Sequence, residues 1–150
     1  MLELALVAIL LVAATVAIHA FGTVYWLRFL VHRYAGHDGN FTGHFALHAV
    51  TATAIVLMLL HVVEIVLWAL AYLLLLPGDP LGSFEKAAYF SAVTFTTLGY
   101  GDITLLEHDW RLLSGVEALD GILLVGWSTA FLFAVIQRSS RTVAHARGKD

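Results

Sequence analysis

The most chemically suggestive residues in this chain run from Thr97 to Asp102 as Thr-Leu-Gly-Tyr-Gly-Asp, between two long apolar segments. Gly99 and Gly101 stand at alternate positions, and glycine reaches backbone conformations that residues with a Cβ avoid. Successive carbonyls of such a stretch can therefore all turn toward one axis. A row of carbonyl oxygens replaces what a cation gives up when it sheds its hydration water. Thr97 adds a hydroxyl at the inner end of the row. The chemistry on offer is coordination of a dehydrated cation by the backbone of Thr97, Leu98, Gly99, Tyr100 and Gly101.

Such a row needs elements to hold it, and composition says where they sit. The chain has 150 residues, 60% hydrophobic and 13% charged, with a mean hydropathy of +0.85. Soluble domains carry about 45–50% apolar and about 25% charged residues, so a membrane protein is expected, of a length that suits one domain. The absence of cysteine excludes disulfides, thiolate metal sites and thiol catalysis. A formal charge of −3 gives no reason to expect a nucleic-acid partner. The amino terminus, Met1-Leu2-Glu3, lacks a basic region, and its apolar run is too long for a signal peptide. It reads as a retained helix.

Hydropathy predicts an all-α membrane fold of three spans and one re-entrant helix. Leu2 to about Leu30 is the first span, broken only by Glu3, His19 and Arg28. Val31 to Gly43 reads as a loop. Phe45 to Leu76 is a second span, which at ~1.5 Å per residue extends about 48 Å as a helix. That exceeds the ~30 Å hydrocarbon core, so it must tilt or project. Pro77-Gly78-Asp79-Pro80 should stop it. Ser83 is a good N-cap with Glu85 in the next turn, so Phe84 to Thr96 forms a short helix that cannot cross. Trp110 to about Ile136 is the third span. The chain between Pro77 and Asp109 must then leave and return on one side, and irregular backbone at membrane depth survives only where it lines a cavity or is buried in protein.

Six of the eight Lys and Arg residues, namely Arg28, Arg33, Arg138, Arg141, Arg147 and Lys149, fall at two places that this topology puts on one side. The positive-inside rule makes that side the cytoplasm of a cell membrane. The re-entrant loop then faces outside, with Asp79, Glu85, Asp102, Glu107 and Asp109 near its mouth, where acidic groups concentrate cations.

The run at Thr97–Asp102 closely resembles the Thr-Val-Gly-Tyr-Gly filter of potassium channels, and Ser91-Ala92-Val93-Thr94-Phe95-Thr96 resembles the pore helix that precedes it. The departure is Leu98 for the usual Val, which should alter packing behind the filter more than the carbonyl chemistry. The resemblance covers roughly Phe45 to Gln137 and implies a K⁺-selective channel with ions at Thr97, Leu98, Gly99 and Tyr100. One filter per chain implies a homotetramer. The domain plan is residues 1–43 as an added helix and loop, 44–137 as the pore domain and 138–150 as a basic tail. The resemblance also places a hinge glycine at Gly121 and a cavity-lining stripe at Ile122, Val125 and Thr129. Close packing of helices at Gly121 and Gly126 is the competing reading. The filter's trailing Asp102 is often held from the pore helix in this family. Val93 stands where some members have a carboxylate, and Tyr89 matches the aromatic donor of others.

Two ionisable pairs sit inside spans at i, i+3 spacing: His61 with Glu64, and Glu117 with Asp120. Glu64 and Asp120 come at similar depth, so the two are expected to meet across the second and third spans, with His61 holding the pair. Intramembrane ionisable groups are functional candidates by default, here for gating or pH sensing, against the plainer reading of inter-helix bonding. The eight histidines open a rival class of function. His44 and His48 have a metal-binding spacing, and His19 and His61 could ligate haem between helices. Asn40-Phe41-Thr42 matches a glycosylation sequon but falls in the expected cytoplasmic loop, and reads as chance. No catalytic constellation is visible, so an enzyme is not expected. No cofactor is expected beyond K⁺ as the permeant ion. The expected partners are further copies of the chain and membrane lipid, and no voltage-sensing helix or ligand-binding domain is present. A weakly selective cation channel is the nearer alternative to K⁺ selectivity, and a haem- or metal-binding membrane protein the farther one.

Overall fold

A computed structural model describes residues 2–34, 43–76, 81–105 and 108–147. Its order is α1 (Leu2–Tyr34), α2 (Gly43–Leu75), α3 (Phe84–Phe95) and α4 (His108–Arg147), with no strand among the described residues. Three helices are long and apolar enough to cross a membrane, over Leu2–Arg33, Leu47–Leu75 and Trp110–Ser139. The fold is therefore all-α, with α3 too short to cross.

The helices outrun their apolar segments at two ends. α1 continues to Tyr34, past the expected stop at Leu30, and α4 continues to Arg147, well past Ile136. Hydropathy marks the part of a helix that suits lipid, whereas the helix itself persists until a breaker. Gly36 and Gly148 are the first glycines after each apolar run's end. Much of the basic segment expected as a tail is thus the last turns of α4. The Pro77-to-Pro80 stop and the Asn40-Phe41-Thr42 sequon lie outside the described residues.

α3 starts as its sequence directs. Ser83 is extended, at φ −161° and ψ 155°, and its Oγ accepts from the Lys86 amide at 3.3 Å. Glu85 lies in the first turn, where the exposed amides favour negative charge. Thr96 caps the other end, its amide bonding back to the Ala92 carbonyl at 3.1 Å.

The chain divides into two compact units. One is Met1–His19 with His61–Val125; the other is Ala20–Leu60 with Gly126–Asp150. Lipid tails are as apolar as leucine, so helices in a membrane are held by close packing and polar bonds rather than by the hydrophobic effect. Both units show this. In the first, Trp68, Tyr72, Phe95, Leu113 and Leu124 are buried, with Tyr72 and Phe90 edge to face at 5.2 Å. In the second, Leu30, Ala49 and Val135 form a small core. There the Trp26 indole donates to Thr53 Oγ1 at 2.9 Å, and Thr53 donates to the Ala49 carbonyl at 2.6 Å. Gly22 lets the Leu60 side chain approach α1.

Candidate ion pathway

The segment after α3 has an unusual backbone. Thr97, Gly99 and Gly101 have φ of 58°, 59° and 78°, so every second residue is left-handed. Alternation of left- and right-handed residues lets consecutive carbonyls face one side of an extended strand. For threonine this conformation is costly, so the surroundings must impose it. They do so through the amides. Thr97 N donates to the Thr94 carbonyl at 2.9 Å, and Leu98 N and Gly99 N both donate to the Val93 carbonyl, at 2.9 and 3.2 Å. Among the described residues no hydrogen bond is made to the carbonyls of Thr97 through Gly101.

The segment is anchored at both ends. The Tyr89 hydroxyl donates to Asp102 Oδ2 at 2.7 Å, tying the carboxyl-terminal end of the row to α3. That bond, the largest influence on it, holds the Tyr89 phenol above its ordinary value. Further on, Arg111 Nε donates to the Leu105 carbonyl at 2.7 Å, and Leu105 is buried.

α3 itself is fixed by three contacts. Ser91 Oγ lies 2.9 Å from the Ile65 carbonyl of α2 and 2.5 Å from Glu117 Oε1 of α4. The Tyr72 hydroxyl donates to Glu117 Oε2 at 2.7 Å. The third contact is at Gly121, where a Cβ would lie 1.9 Å from the Phe95 carbonyl oxygen. Gly121 is a point of backbone contact between α4 and the end of α3. A Cβ on Gly126 would meet open space in the chain.

The remaining candidate residues fall into two groups. Ile122, Val125 and Thr129 are exposed along α4, and Leu98 and Tyr100 are 55% and 66% exposed. The packing expected behind Leu98 is thus not made within one chain. Glu64, Glu117 and Asp120 are buried. Glu64 and Asp120 share no hydrogen bond. Residues of α1 take up each carboxyl instead. His19 Nδ1 lies 2.9 Å from Glu64 Oε1 and His61 Nδ1 lies 2.8 Å from Glu64 Oε2. Asp120 Oδ2 accepts from Thr15 Oγ1 at 2.7 Å and from the Trp68 indole at 3.1 Å. The two imidazoles are stacked, 5.3 Å between centroids, and both are bonded to Glu64. That leaves no room for a haem between them. His48 is exposed, and the side chain of His44 lies outside the described residues. Of the acidic residues expected near a mouth, Glu85 and Asp102 are exposed; Asp79, Glu107 and the side chain of Asp109 lie outside the described residues.

Thr15, Trp68, Tyr72 and Ser91 were not singled out from the sequence, yet they complete the polar interior. A signal existed. Glu64, Trp68 and Tyr72 recur every four residues on α2, as Thr15, His19 and Thr23 do on α1, and residues at i, i+4 share a face.

No match is found among curated proteins or among solved structures. A family does match, over residues 55–138, which is more than half of the chain. The matched stretch takes in most of α2, all of α3, the carbonyl row and α4 as far as Arg138, and leaves α1 outside. Apolar helices stand on either side of a short helix and the backbone that follows it, and the chain is a member of the ion channel family.

Proposed function

We propose that the protein is a potassium-selective channel in which four copies of Thr97–Gly101 surround one axis and pass K⁺ down its gradient. The observation that carries this reading is the left-handed backbone at Thr97, Gly99 and Gly101 with no hydrogen bond made to the carbonyls of the row. A ring of such carbonyls replaces the hydration shell of K⁺. One chain supplies one row, so the ring is made by assembly, and the exposed Leu98 and Tyr100 are the surfaces that assembly covers. Ile122, Val125 and Thr129 line the cavity below the filter, and the carboxyl ends of the four α3 helices point their partial negative charge toward it. The basic residues near the end of α1, Arg28 and Arg33, and those in α4 favour, by the positive-inside rule, a cytoplasmic side for those ends in a cell membrane, which would put Glu85 and Asp102 at the outer mouth. K⁺ is the permeant ion.

The test is reconstitution into liposomes carrying a K⁺ gradient, with Na⁺ as the comparison and native mass measured in mild detergent. K⁺ flux from a four-chain particle is expected. Equal K⁺ and Na⁺ flux would make the protein a weakly selective cation channel, and flux from a monomer or dimer would contradict the ring.

A further inference from the structure

The strongest feature that ion conduction leaves unused is the cluster of His19, His61 and Glu64. Two imidazoles from different helices approach the two oxygens of one carboxylate, at 2.9 and 2.8 Å, and one donor atom from each residue lies within 4.8 Å of the other two. We propose that these three residues form a binding site for a divalent transition-metal ion of the Zn²⁺ class, which fastens α1 to the pore domain.

Three arguments support the assignment. The first is geometric. Ligands at ~2.0–2.2 Å from a tetrahedral Zn²⁺ stand about 3.3 Å from each other. Reaching that arrangement needs shifts of about 0.5 Å at the carboxylate and less than about 1.5 Å between donors. Glu64 and His19 are fully buried, and His61 nearly so, its side chain 13% exposed. The rings are held by their own stacking, and His61 also by Phe95, 5.8 Å away at the end of α3.

The second argument concerns donor type. Two imidazoles and a carboxylate match the ligands that bind Zn²⁺ and its first-row neighbours. Mg²⁺ and Ca²⁺ prefer sites made wholly of oxygen. The cluster is therefore a poor competitor for the alkaline-earth ions in solution.

The third argument is charge. Glu64 is 0% exposed, and Asp120 lies within electrostatic reach of both Glu64 and His19. Asp120 is bonded only through Oδ2, and its buried Oδ1 has no hydrogen-bond partner among the described residues. Carboxyl groups gathered in the membrane interior are expensive unless a partner of opposite charge meets them, and a divalent cation held by His19, His61 and Glu64 is such a partner. Metal ligands must give up their protons, so affinity must fall as pH is lowered.

The experiment uses the full-length channel, purified in detergent and washed with chelator, with Co²⁺ as a visible probe and Zn²⁺ as its competitor. The expected result is one Co²⁺ per chain, displaced by Zn²⁺ but not by Mg²⁺ or Ca²⁺, bound more weakly as the pH is lowered. His19→Gln and Glu64→Gln should each weaken binding by more than about 100-fold, beyond the 10–100-fold typical of losing an outer-shell partner. His32→Gln and His48→Gln, at exposed positions, should leave it unchanged. X-ray absorption on the Zn²⁺ form of the unmodified protein should count two imidazoles per metal, which keeps the test open if a variant fails to fold. Undiminished binding by His19→Gln and Glu64→Gln, a different imidazole count, or no Co²⁺ bound by the unmodified protein would overturn the site.

Discussion

Gly121→Ala gives the sharpest test of how α3 and the carbonyl row after it are held. A Cβ at this position would lie 1.9 Å from Phe95 O and 2.7 Å from Phe95 C, both backbone atoms. Ordinary van der Waals contact begins near 3.4 Å, so α4 and the end of α3 must separate by about 1.5 Å. No side-chain rotation relieves this, because the atoms struck belong to the main chain. Overpacking costs about 1–3 kcal/mol and sometimes more, and a backbone clash of this size belongs at the top of that range. Alanine in a helix returns about 1 kcal/mol, leaving a net loss of about 2 kcal/mol, or roughly 30-fold in the folding equilibrium. Phe95 sits two residues before Thr97, so the displacement is delivered to the carbonyl row. The assay is thermal stability of the assembled channel in detergent, with K⁺ flux in liposomes beside it. Gly115→Ala is the control, since a Cβ there meets nothing within 4 Å. It should be as stable as the unmodified protein, or more so by up to about 1 kcal/mol. A Gly121→Ala channel that melts normally but opens abnormally would show a hinge instead and refute the close-contact reasoning.

Other outcomes follow from the same geometry. Gly99→Ala and Gly101→Ala force a Cβ onto left-handed backbone at φ 59° and 78°, at a cost of about 1–2 kcal/mol each; K⁺-selective flux should be lost while membrane insertion persists, as read by liposome flux and membrane fractionation. Tyr89→Phe removes the bond to Asp102 and should lower the K⁺/Na⁺ flux ratio at neutral pH. The Tyr89 phenol is raised above its ordinary 10.0, so the bond's contribution is complete below that value and lost as pH rises through the higher folded one. An alkaline loss of selectivity in the unmodified channel, absent in Tyr89→Phe, is the signature. Thr15→Val removes the bond to Asp120 and Ser91→Ala the contacts to the Ile65 carbonyl and Glu117; intramembrane hydrogen bonds are worth on average ~0.6 kcal/mol each, so both should lower the melting temperature only slightly.

The membrane spans and the short helix could be read from the sequence because length and hydropathy are local properties. Helix ends were less legible. The apolar run of α4 stops near Ile136 while its helix reaches Arg147, since lipid compatibility and helix persistence obey different rules. The left-handed backbone at Gly99 and Gly101 was legible because alternate glycines are visible in one dimension. Tyr89 and Asp102 were paired by resemblance, and they stand 2.7 Å apart. The partners of the buried carboxyls were not legible. Periodicity tells that Thr15 and His19 share a face, but not that this face meets Asp120 and Glu64, because that depends on how α1 packs. Gly121 shows the same boundary: a helical glycine announces some use, and only the position of Phe95 says which.

The central claim is that four rows of backbone carbonyls select K⁺, and the most direct measurement is a reversal potential across a planar bilayer. With K⁺ on one side and Na⁺ on the other at equal concentration, each tenfold in permeability ratio moves the reversal potential by about 59 mV. A shift well beyond 59 mV toward the K⁺ equilibrium potential, abolished in Gly101→Ala, is the result expected. A reversal potential near zero in the unmodified protein would contradict the account.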